Sequence, residues 1–246
     1  MIKSGNNMVT ALRSLIFRAI FYLRGTVACL LWVPLLYLPG VPRRWQVAFQ
    51  TNWSQSVLFW LRRAAGLKMI VRGRQYISAT PVIYAMKHQS MLDTFVMHSI
   101  IEDPAFVMKK ELLKIPLYGR LCEKVGNISI DRDMGVKSMK KMLSQSRAEI
   151  GRGRSVIIFP EGSRARPGEK HPYQPGIFGI YKYLKVPVVP VAVNTGLFWP
   201  RKGAVKGGEF VIEFLPPVAP GLQKDAFMGK LEETIELASQ SLLITE

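Results

Sequence analysis

A histidine and an aspartate stand five positions apart in the stretch KHQSMLDT, at His88 and Asp93. The stretch follows PVIYAM, a short apolar run that predicts a buried strand. Five residues of helix turn by about 140° net, so the two side chains meet only if His88 precedes a helix and Asp93 lies in its first turn. Ser90 is a good N-cap for such a helix. An imidazole oriented by a carboxylate is a base that can take a proton from a hydroxyl.

A purely structural role fits the same stretch equally well. Ser90 and Asp93 have the spacing of a capping box, in which Asp93 would only accept hydrogen bonds from backbone N–H groups. His88 would then be an ordinary polar residue of a loop. Taken alone, the stretch leaves both interpretations open.

A second segment, IIFPEGSRARPG, has the composition of an anion-binding loop. A predicted strand ends at Pro160 and is followed by Glu161, Gly162, Ser163 and Arg164. A guanidinium donates paired hydrogen bonds to phosphate oxygens, and a glycine lets a ligand approach the backbone. A solvated turn is the simpler interpretation of EGSR alone, so this segment gains weight only beside the first.

Two further basic residues are weaker candidates. Arg132 follows the strand-like GNISI and could contact a phosphate, or it could form a surface ion pair with Asp131 or Asp133. Lys109 lies at the end of another strand candidate, PAFVM, where basic side chains are usually solvated.

The elements that must position these residues alternate between two patterns. Short Val- and Ile-rich runs predict strands in LKMIVRG, PVIYAM, PAFVM, GNISID, RSVIIFP, VPVVPVAV and EFVIEFLPP. Apolar residues at helical spacing predict helices over 135–150 and 224–243. This alternation predicts an α/β fold, a mixed sheet covered by helices. Sites on such sheets lie in the loops beyond strand ends, where the candidates above are found.

Charge is concentrated at the amino-terminal end. The 246 residues carry a formal net charge of +17, and the first 92 contain twelve basic residues and no acidic one. The same end is rich in bulky apolar residues, which suits an anionic membrane interface and disfavours a nucleic-acid-binding arm. We therefore predict two parts: residues 1–66 form basic, apolar, membrane-anchoring helices, and residues 67–246 form the α/β domain.

Two segments are predicted to hold the protein on a membrane. The strongly apolar stretch from Val27 to Leu38 is shorter than the roughly 20 residues of a spanning helix, so it is expected to lie in one leaflet. QSVLFWLRRAAGLKMI is predicted to be an amphipathic helix at the interface. A tilted single-span anchor is the alternative, because Arg18 and Arg24 could snorkel. The same arginines interrupt the apolar region that a cleaved leader would need before TVAC.

The cysteines and histidines indicate no metal or redox centre. Cys29 and Cys122 lie far apart in apolar contexts, which argues against a disulfide framework or a cysteine metal site. With only three histidines, a zinc site is not expected. No cofactor and no metal are therefore predicted.

Taken in order, these segments resemble the 1-acylglycerol-3-phosphate acyltransferases, the lysophosphatidate acyltransferases of the PlsC type. Four family blocks are present as HQSMLD, GNISIDR, FPEGSRAR and VPVVPVAV, in the expected order, between Met69 and about Val193. Four ordered blocks are a far more specific match than one His–Asp spacing. The resemblance implies transfer of an acyl group from acyl-CoA or acyl carrier protein to the free hydroxyl of a lysophospholipid.

The resemblance also implies roles for individual residues. His88 would be the general base, with Asp93 orienting it. The acceptor's phosphate and glycerol would be bound by the remaining matched positions, namely Lys109, Arg132, Glu161, Gly162, Ser163 and Arg164. Many members have asparagine before the histidine, where this chain has Lys87. We expect that lysine to lower the proton affinity of His88 or to contact the acyl donor.

The expected partners are anionic membrane lipids, the lysophospholipid acceptor and the acyl donor, with no nucleic acid. The expected location is the cytoplasmic face of the inner membrane, on a monotopic or single-span anchor. Two alternatives remain open from the residues. One is the same reaction on lyso-ornithine lipid or glycerol-3-phosphate, and the other is a basic protein that binds membranes without catalysis.

Overall fold

The computed structural model describes residues 7–131 and 134–244. Seven helices and seven strands follow one another along these residues. The helices are α1 (Asn7–Leu36), α2 (Arg43–Trp60), α3 (Leu92–Ile100), α4 (Tyr118–Lys124), α5 (Gly135–Gly151), α6 (Gly176–Leu184) and α7 (Lys224–Ser241). The strands are β1 (Leu67–Arg72), β2 (Ile83–Met86), β3 (Ala105–Lys109), β4 (Ile128–Ile130), β5 (Val156–Ile158), β6 (Val188–Val193) and β7 (Gly208–Phe214).

The strands form one mixed sheet in the order β1-β7-β6-β2-β5-β3-β4. Every neighbouring pair is parallel except β6 and β7, which are antiparallel. The predicted α/β fold with a mixed sheet is confirmed. Because β2, β5, β3 and β4 are parallel neighbours, their carboxyl ends meet at one edge of the sheet, where the loops after them converge.

Helices cover both faces of the sheet. Successive side chains of a strand point to opposite faces, so each strand contributes residues to two cores. In β2, Tyr84 belongs to the core under α1, α2 and α3, whereas Ile83 belongs to the core under α5, α6 and α7. All four residues of β2 are buried, as expected for a central parallel strand.

Helix α1 is continuous over 30 residues, a length of about 45 Å. Its segment Met8–Leu36 is apolar and long enough to cross a membrane, and only 11% of its apolar 18-residue window is buried inside the protein. The helix is therefore longer than the stretch from Val27 to Leu38 on which the one-leaflet prediction was based, and both that placement and the single-span alternative stay predictions. Gly25 lies within the helix. Because it has no side chain, the Trp53 ring of α2 packs closely against it.

Helix α2 packs one face on the core, while Trp45 and Phe59 of the same helix are 48% and 51% exposed. Val57, Leu61 and Ala65 are almost fully buried against the sheet, and the last two lie in a π-helical turn that prolongs α2. These buried residues share one core with residues of β1 and β2, and the placement of the segment at a membrane interface stays a prediction. Strand β1 begins at Leu67, next to the predicted boundary at 66/67, which stays a prediction.

Candidate active site

His88 and Asp93 come together beyond the carboxyl end of β2. His88 lies in the loop between β2 and α3, and Asp93 is the second residue of α3. The His88 Nδ1 and Asp93 Oδ2 atoms are 2.8 Å apart. This is the arrangement that the five-residue spacing required, with the histidine before the helix and the aspartate in its first turn.

Asp93 also holds the loop that carries His88. Its Oδ2 accepts hydrogen bonds from the backbone N–H groups of Gln89 and Ser90, at 2.8 and 2.9 Å. Its Oδ1 accepts one from the Thr195 hydroxyl. The carboxyl group is fully buried. The two interpretations left open by the sequence are therefore compatible, since one carboxylate satisfies backbone donors and orients the imidazole.

These contacts fix the orientation of the imidazole. A carboxylate only accepts hydrogen bonds, so Nδ1 of His88 carries the proton and Nε2 keeps a free lone pair. The ring stacks on Phe159, with centroids 3.9 Å apart and planes at 19°. Its side chain is 13% exposed, and it lines the main cavity of the protein. The arrangement can take a proton from a hydroxyl bound in that cavity.

The cavity has a volume of about 1390 Å³. That exceeds the roughly 300–1,000 Å³ of most small-molecule pockets. Its apolar walls include Phe21 of α1, Trp53 of α2, Phe106 of β3, Met139 of α5 and Ile177 of α6. The space therefore suits a molecule with long apolar parts.

The loop after β5 lies beside His88 at the same cavity. Gly162, Ser163 and Arg164 line it, as does Lys109 at the end of β3. The backbone of Gly162 has a φ of +68°, a conformation that favours glycine. Four of the predicted binding residues are thus brought together around the histidine. Arg132 lies outside the described residues.

Glu161 is an exception among the predicted binding residues. Its side chain is fully buried, does not line the cavity, and lies 2.7 Å from Lys87 Nζ. The prediction that Glu161 binds the acceptor directly is therefore corrected. Lys87 is also buried and points away from the cavity, so the prediction that it contacts the acyl donor is wrong. Adjacent residues point to opposite faces here, which separates Lys87 from His88.

Two residues of the site were not singled out in the sequence. Thr195, which follows β6, contacts Asp93, and Arg201 lines the cavity. Burial lowers the pKa of the Arg164 guanidinium; the Asp93 carboxylate opposes this shift and Arg201 adds to it. Within the described ranges, neither arginine has a carboxylate within ion-pair distance. Arg201 could have been suspected from the sequence, because it is a basic residue shortly after the buried strand β6.

His98 also lies in the cavity wall, with its ring centroid 4.8 Å from that of Phe106. Burial lowers its pKa to about 4, so its imidazole is neutral at neutral pH. Among the described residues no carboxylate lies within hydrogen-bond distance of His98, and Asp103 only opposes the lowering of its pKa from farther away, which separates the two histidines chemically.

We expect Thr195→Val to lower kcat about threefold to tenfold, because Asp93 loses one of its donors and orients His88 less firmly. Thr195→Ser keeps the hydroxyl and is expected to stay within about twofold of the unmodified protein. Steady-state kinetics on both variants, after a check of folding by circular dichroism, measure the difference. Equal rates for valine and serine would show that the hydroxyl does not support the base.

Comparisons with known proteins agree on one family. Residues 68–194 match the sequence model of the family described as Acyltransferase. A 1-acyl-sn-glycerol-3-phosphate acyltransferase of Pseudomonas aeruginosa is 31% identical over 190 residues, which cover 76% of this chain and 74% of the relative. One from Cocos nucifera is 27% identical over 216 residues, covering 85% and 69%.

A solved structure has the same fold. The crystal structure of the 1-acyl-sn-glycerophosphate acyltransferase PlsC from Thermotoga maritima matches with a TM-score of 0.74 at 19% identity. The match covers 98% of this chain and 97% of that chain, so it includes α1 and α2 as well as the sheet.

Proposed function

Because the chain belongs to the acyltransferase family and is an acyltransferase, we propose that it moves a fatty acyl group from a thioester to the sn-2 hydroxyl of lysophosphatidate, giving phosphatidate. The relatives named above carry the name of this reaction. We propose acyl-CoA or acyl carrier protein as the donor and no cofactor. His88 is the general base in this proposal, and Asp93 orients it.

The proposal rests on one observation: a histidine base and several cationic side chains line the same apolar cavity. His88 lines the same space as Lys109, Arg164 and Arg201. Asp131 is the one acidic residue in the described part of the cavity wall, and it pairs with Lys110 at 3.0 Å. Such a cavity suits an anionic headgroup with apolar chains, because guanidinium groups bind phosphate through paired hydrogen bonds.

The reaction uses the free lone pair of His88 Nε2. As the acceptor hydroxyl attacks the thioester carbonyl carbon, Nε2 takes the hydroxyl proton and the new C–O bond forms. The tetrahedral intermediate then collapses, the C–S bond breaks, and the imidazolium returns its proton to the leaving thiolate. A cation set that fixes the phosphate aligns the hydroxyl with His88, and positioning of this kind supplies a large part of the rate.

We propose that the amino-terminal helices place this cavity at a membrane. Phe21, Tyr22 and Cys29 of α1 line the cavity, and the outer side of α1 exposes apolar residues along its length. Lipid chains would therefore reach the cavity from the bilayer. The basic amino-terminal end suits the anionic, cytoplasmic face of a membrane. The proposed acceptor and product are lipids of that membrane. Nucleic acid is not a proposed partner.

The direct test is acyl transfer in detergent micelles. Lysophosphatidate and an oleoyl thioester are incubated with the protein, and free thiol and phosphatidate are measured together. Equal amounts of thiol and phosphatidate support the proposal. Transfer only to lyso-ornithine lipid or to glycerol-3-phosphate would change the acceptor, and thiol release without a lipid product would indicate hydrolysis. Lipid binding without any turnover would support the alternative of a basic protein that binds membranes without catalysis.

We expect Arg164→Gln to lower kcat/KM for lysophosphatidate about 10- to 100-fold, because a charged hydrogen bond contributes roughly 1.5–3 kcal/mol. Transfer to an acceptor without a phosphate should change far less. Arg166→Gln is the matched control, since the Arg166 side chain is 87% exposed and lies 3.8 Å from Glu169, outside the cavity. A loss that is the same for both acceptors would contradict a phosphate-binding role.

A further inference from the structure

A buried cluster of charges lies directly behind the proposed base. Lys87 Nζ is 2.7 Å from Glu161 Oε1 and 2.8 Å from both carboxylate oxygens of Glu236. A fourth contact, at 3.1 Å, joins it to the backbone carbonyl of Glu169. The Lys87 and Glu161 side chains are 1% and 0% exposed, and that of Glu236 is 10% exposed. The ammonium group therefore has all its hydrogen-bond partners within the protein.

The cluster contains one positive charge and two negative charges. Other donors offset the excess carboxylate, since the Tyr173 hydroxyl donates to Glu236 Oε1 at 3.0 Å and the backbone N–H of His171 donates to Glu161 Oε1 at 3.2 Å. Burial raises the pKa of Tyr173 well above its ordinary value, and Glu236 raises it further, so the hydroxyl stays protonated and remains a donor. The cluster is thus satisfied only when every member is in place.

The cluster connects the two loops that form the active site. Lys87 and His88 are in the loop after β2, and Glu161 is in the loop after β5, just before Gly162 to Arg164. The His88 N–H donates to Glu161 Oε2 at 3.4 Å, and the Ala165 N–H donates to the His88 carbonyl at 2.8 Å. The distance between the base and the cations of the cavity therefore depends on Glu161.

Glu236 brings a third element into this arrangement. It lies on α7, and no described residue of α7 lines the cavity. Since Lys87 is shared between Glu161 and Glu236, the position of α7 determines where Lys87 holds Glu161.

We propose that Lys87 and Glu236 are positioning residues, through which helix α7 sets the placement of His88 relative to the Gly162–Arg164 loop. This inference rests on the proposed function, in which His88 is the base. Neither residue contacts the substrate. Their effect is on the alignment of the base with a bound hydroxyl, where an error of about 1 Å can cost on the order of 100-fold in rate.

The test replaces Glu236 with glutamine, which keeps the shape and removes one charge. Lys87 then moves towards Glu161, and we expect kcat to fall about tenfold while KM for the acceptor changes by less than about threefold. Glu232→Gln is the matched control, because Glu232 lies one turn earlier on α7 and pairs at the surface with Lys170 at 2.7 Å. It is expected to leave both constants unchanged.

A second readout needs no substrate. The chain has three histidines, so ¹⁵N-histidine labelling gives three sets of ring signals, and His88→Ala identifies those of His88. Glu236→Gln should shift or broaden the Nδ1–H signal that His88 shares with Asp93, and Glu232→Gln should not. If the protein proves inactive on every acceptor, the proposed function fails and this signal alone decides the positioning role.

Two results would overturn the inference. One is a Glu236→Gln variant with the kcat and the His88 signal of the unmodified protein. The other is an equal effect of Glu232→Gln, which would indicate a general change in α7. Should Glu236→Gln fail to fold, Tyr173→Phe removes only the hydroxyl donor to Glu236 and is judged by the same two readouts, with the same expected directions.

Discussion

Replacing His88 with alanine is expected to lower kcat for acyl transfer by about three orders of magnitude, because a positioned general base contributes on the order of 10²–10⁴-fold. The imidazole is the one group of the described cavity wall that pairs with a buried carboxylate and keeps a free nitrogen towards the cavity. Acceptor binding should persist, since the cations of the cavity are untouched. The effect should therefore fall on kcat more than on KM.

The measurement is the joint assay of thiol and phosphatidate with equal amounts of folded protein. His171→Gln is the control, because His171 lies outside the cavity and is 36% exposed, and glutamine keeps a polar group beside the Ser163 hydroxyl, which is 3.3 Å from His171 Nδ1. We expect it to retain activity within about threefold. A His88→Ala variant with more than about a tenth of the original kcat would assign the proton transfer to another group.

The second large effect concerns stability. Lys87→Met is expected to lower the free energy of unfolding by about 3–5 kcal/mol, because it leaves the Glu161 and Glu236 carboxylates buried together without their cation. For a chain of this size that corresponds to a fall in Tm of roughly 6–20 °C. The loss arises from the uncompensated carboxylates more than from the lost ion pair itself.

Thermal unfolding in one detergent, followed by circular dichroism, measures this loss. Lys68→Met is the control, because Lys68 pairs with Glu209 at the surface and both side chains are more than half exposed. An exposed pair contributes less than about 1 kcal/mol. Adding Glu236→Gln to Lys87→Met should recover part of the lost free energy of unfolding, because it removes one of the two buried carboxylates that no longer have a cation. A double variant no better than Lys87→Met alone would contradict the shared-cation account.

The local elements of this fold could be predicted from the sequence. All seven strand predictions are confirmed, and the helices predicted over 135–150 and 224–243 are α5 and α7. The relative placement of His88 and Asp93 was also predictable, because a strand end and a helix start so close together allow few geometries. The N-cap itself is Met91 and not the expected Ser90, whose hydroxyl accepts a hydrogen bond from the Leu92 N–H at 3.2 Å. These features depend on short stretches, where periodicity, glycine, proline and capping residues determine the structure.

Features that depend on distant residues could not be predicted in this way. Glu236 is 149 residues from Lys87, and Thr195 is 102 residues from Asp93, so no local pattern connects either pair. Glu161 was assigned to ligand binding by the family resemblance, because no local pattern links it to Lys87, 74 residues earlier. The face of α2 that packs on the core could not be identified, because an apolar stripe looks the same whether it covers a sheet or a bilayer.

The long separation between Lys87 and Glu236 also affects how the protein is synthesised. At about 5–20 residues per second, α7 leaves the ribosome roughly 7–30 s after the loop that carries His88. During that interval α1 has already emerged, β1 cannot pair until β7 follows, and Lys87 has at most one of its two carboxylates. In the proposed function, α1 therefore reaches the membrane well before the active site is complete, and we expect acyl transfer to begin only after α7 has docked.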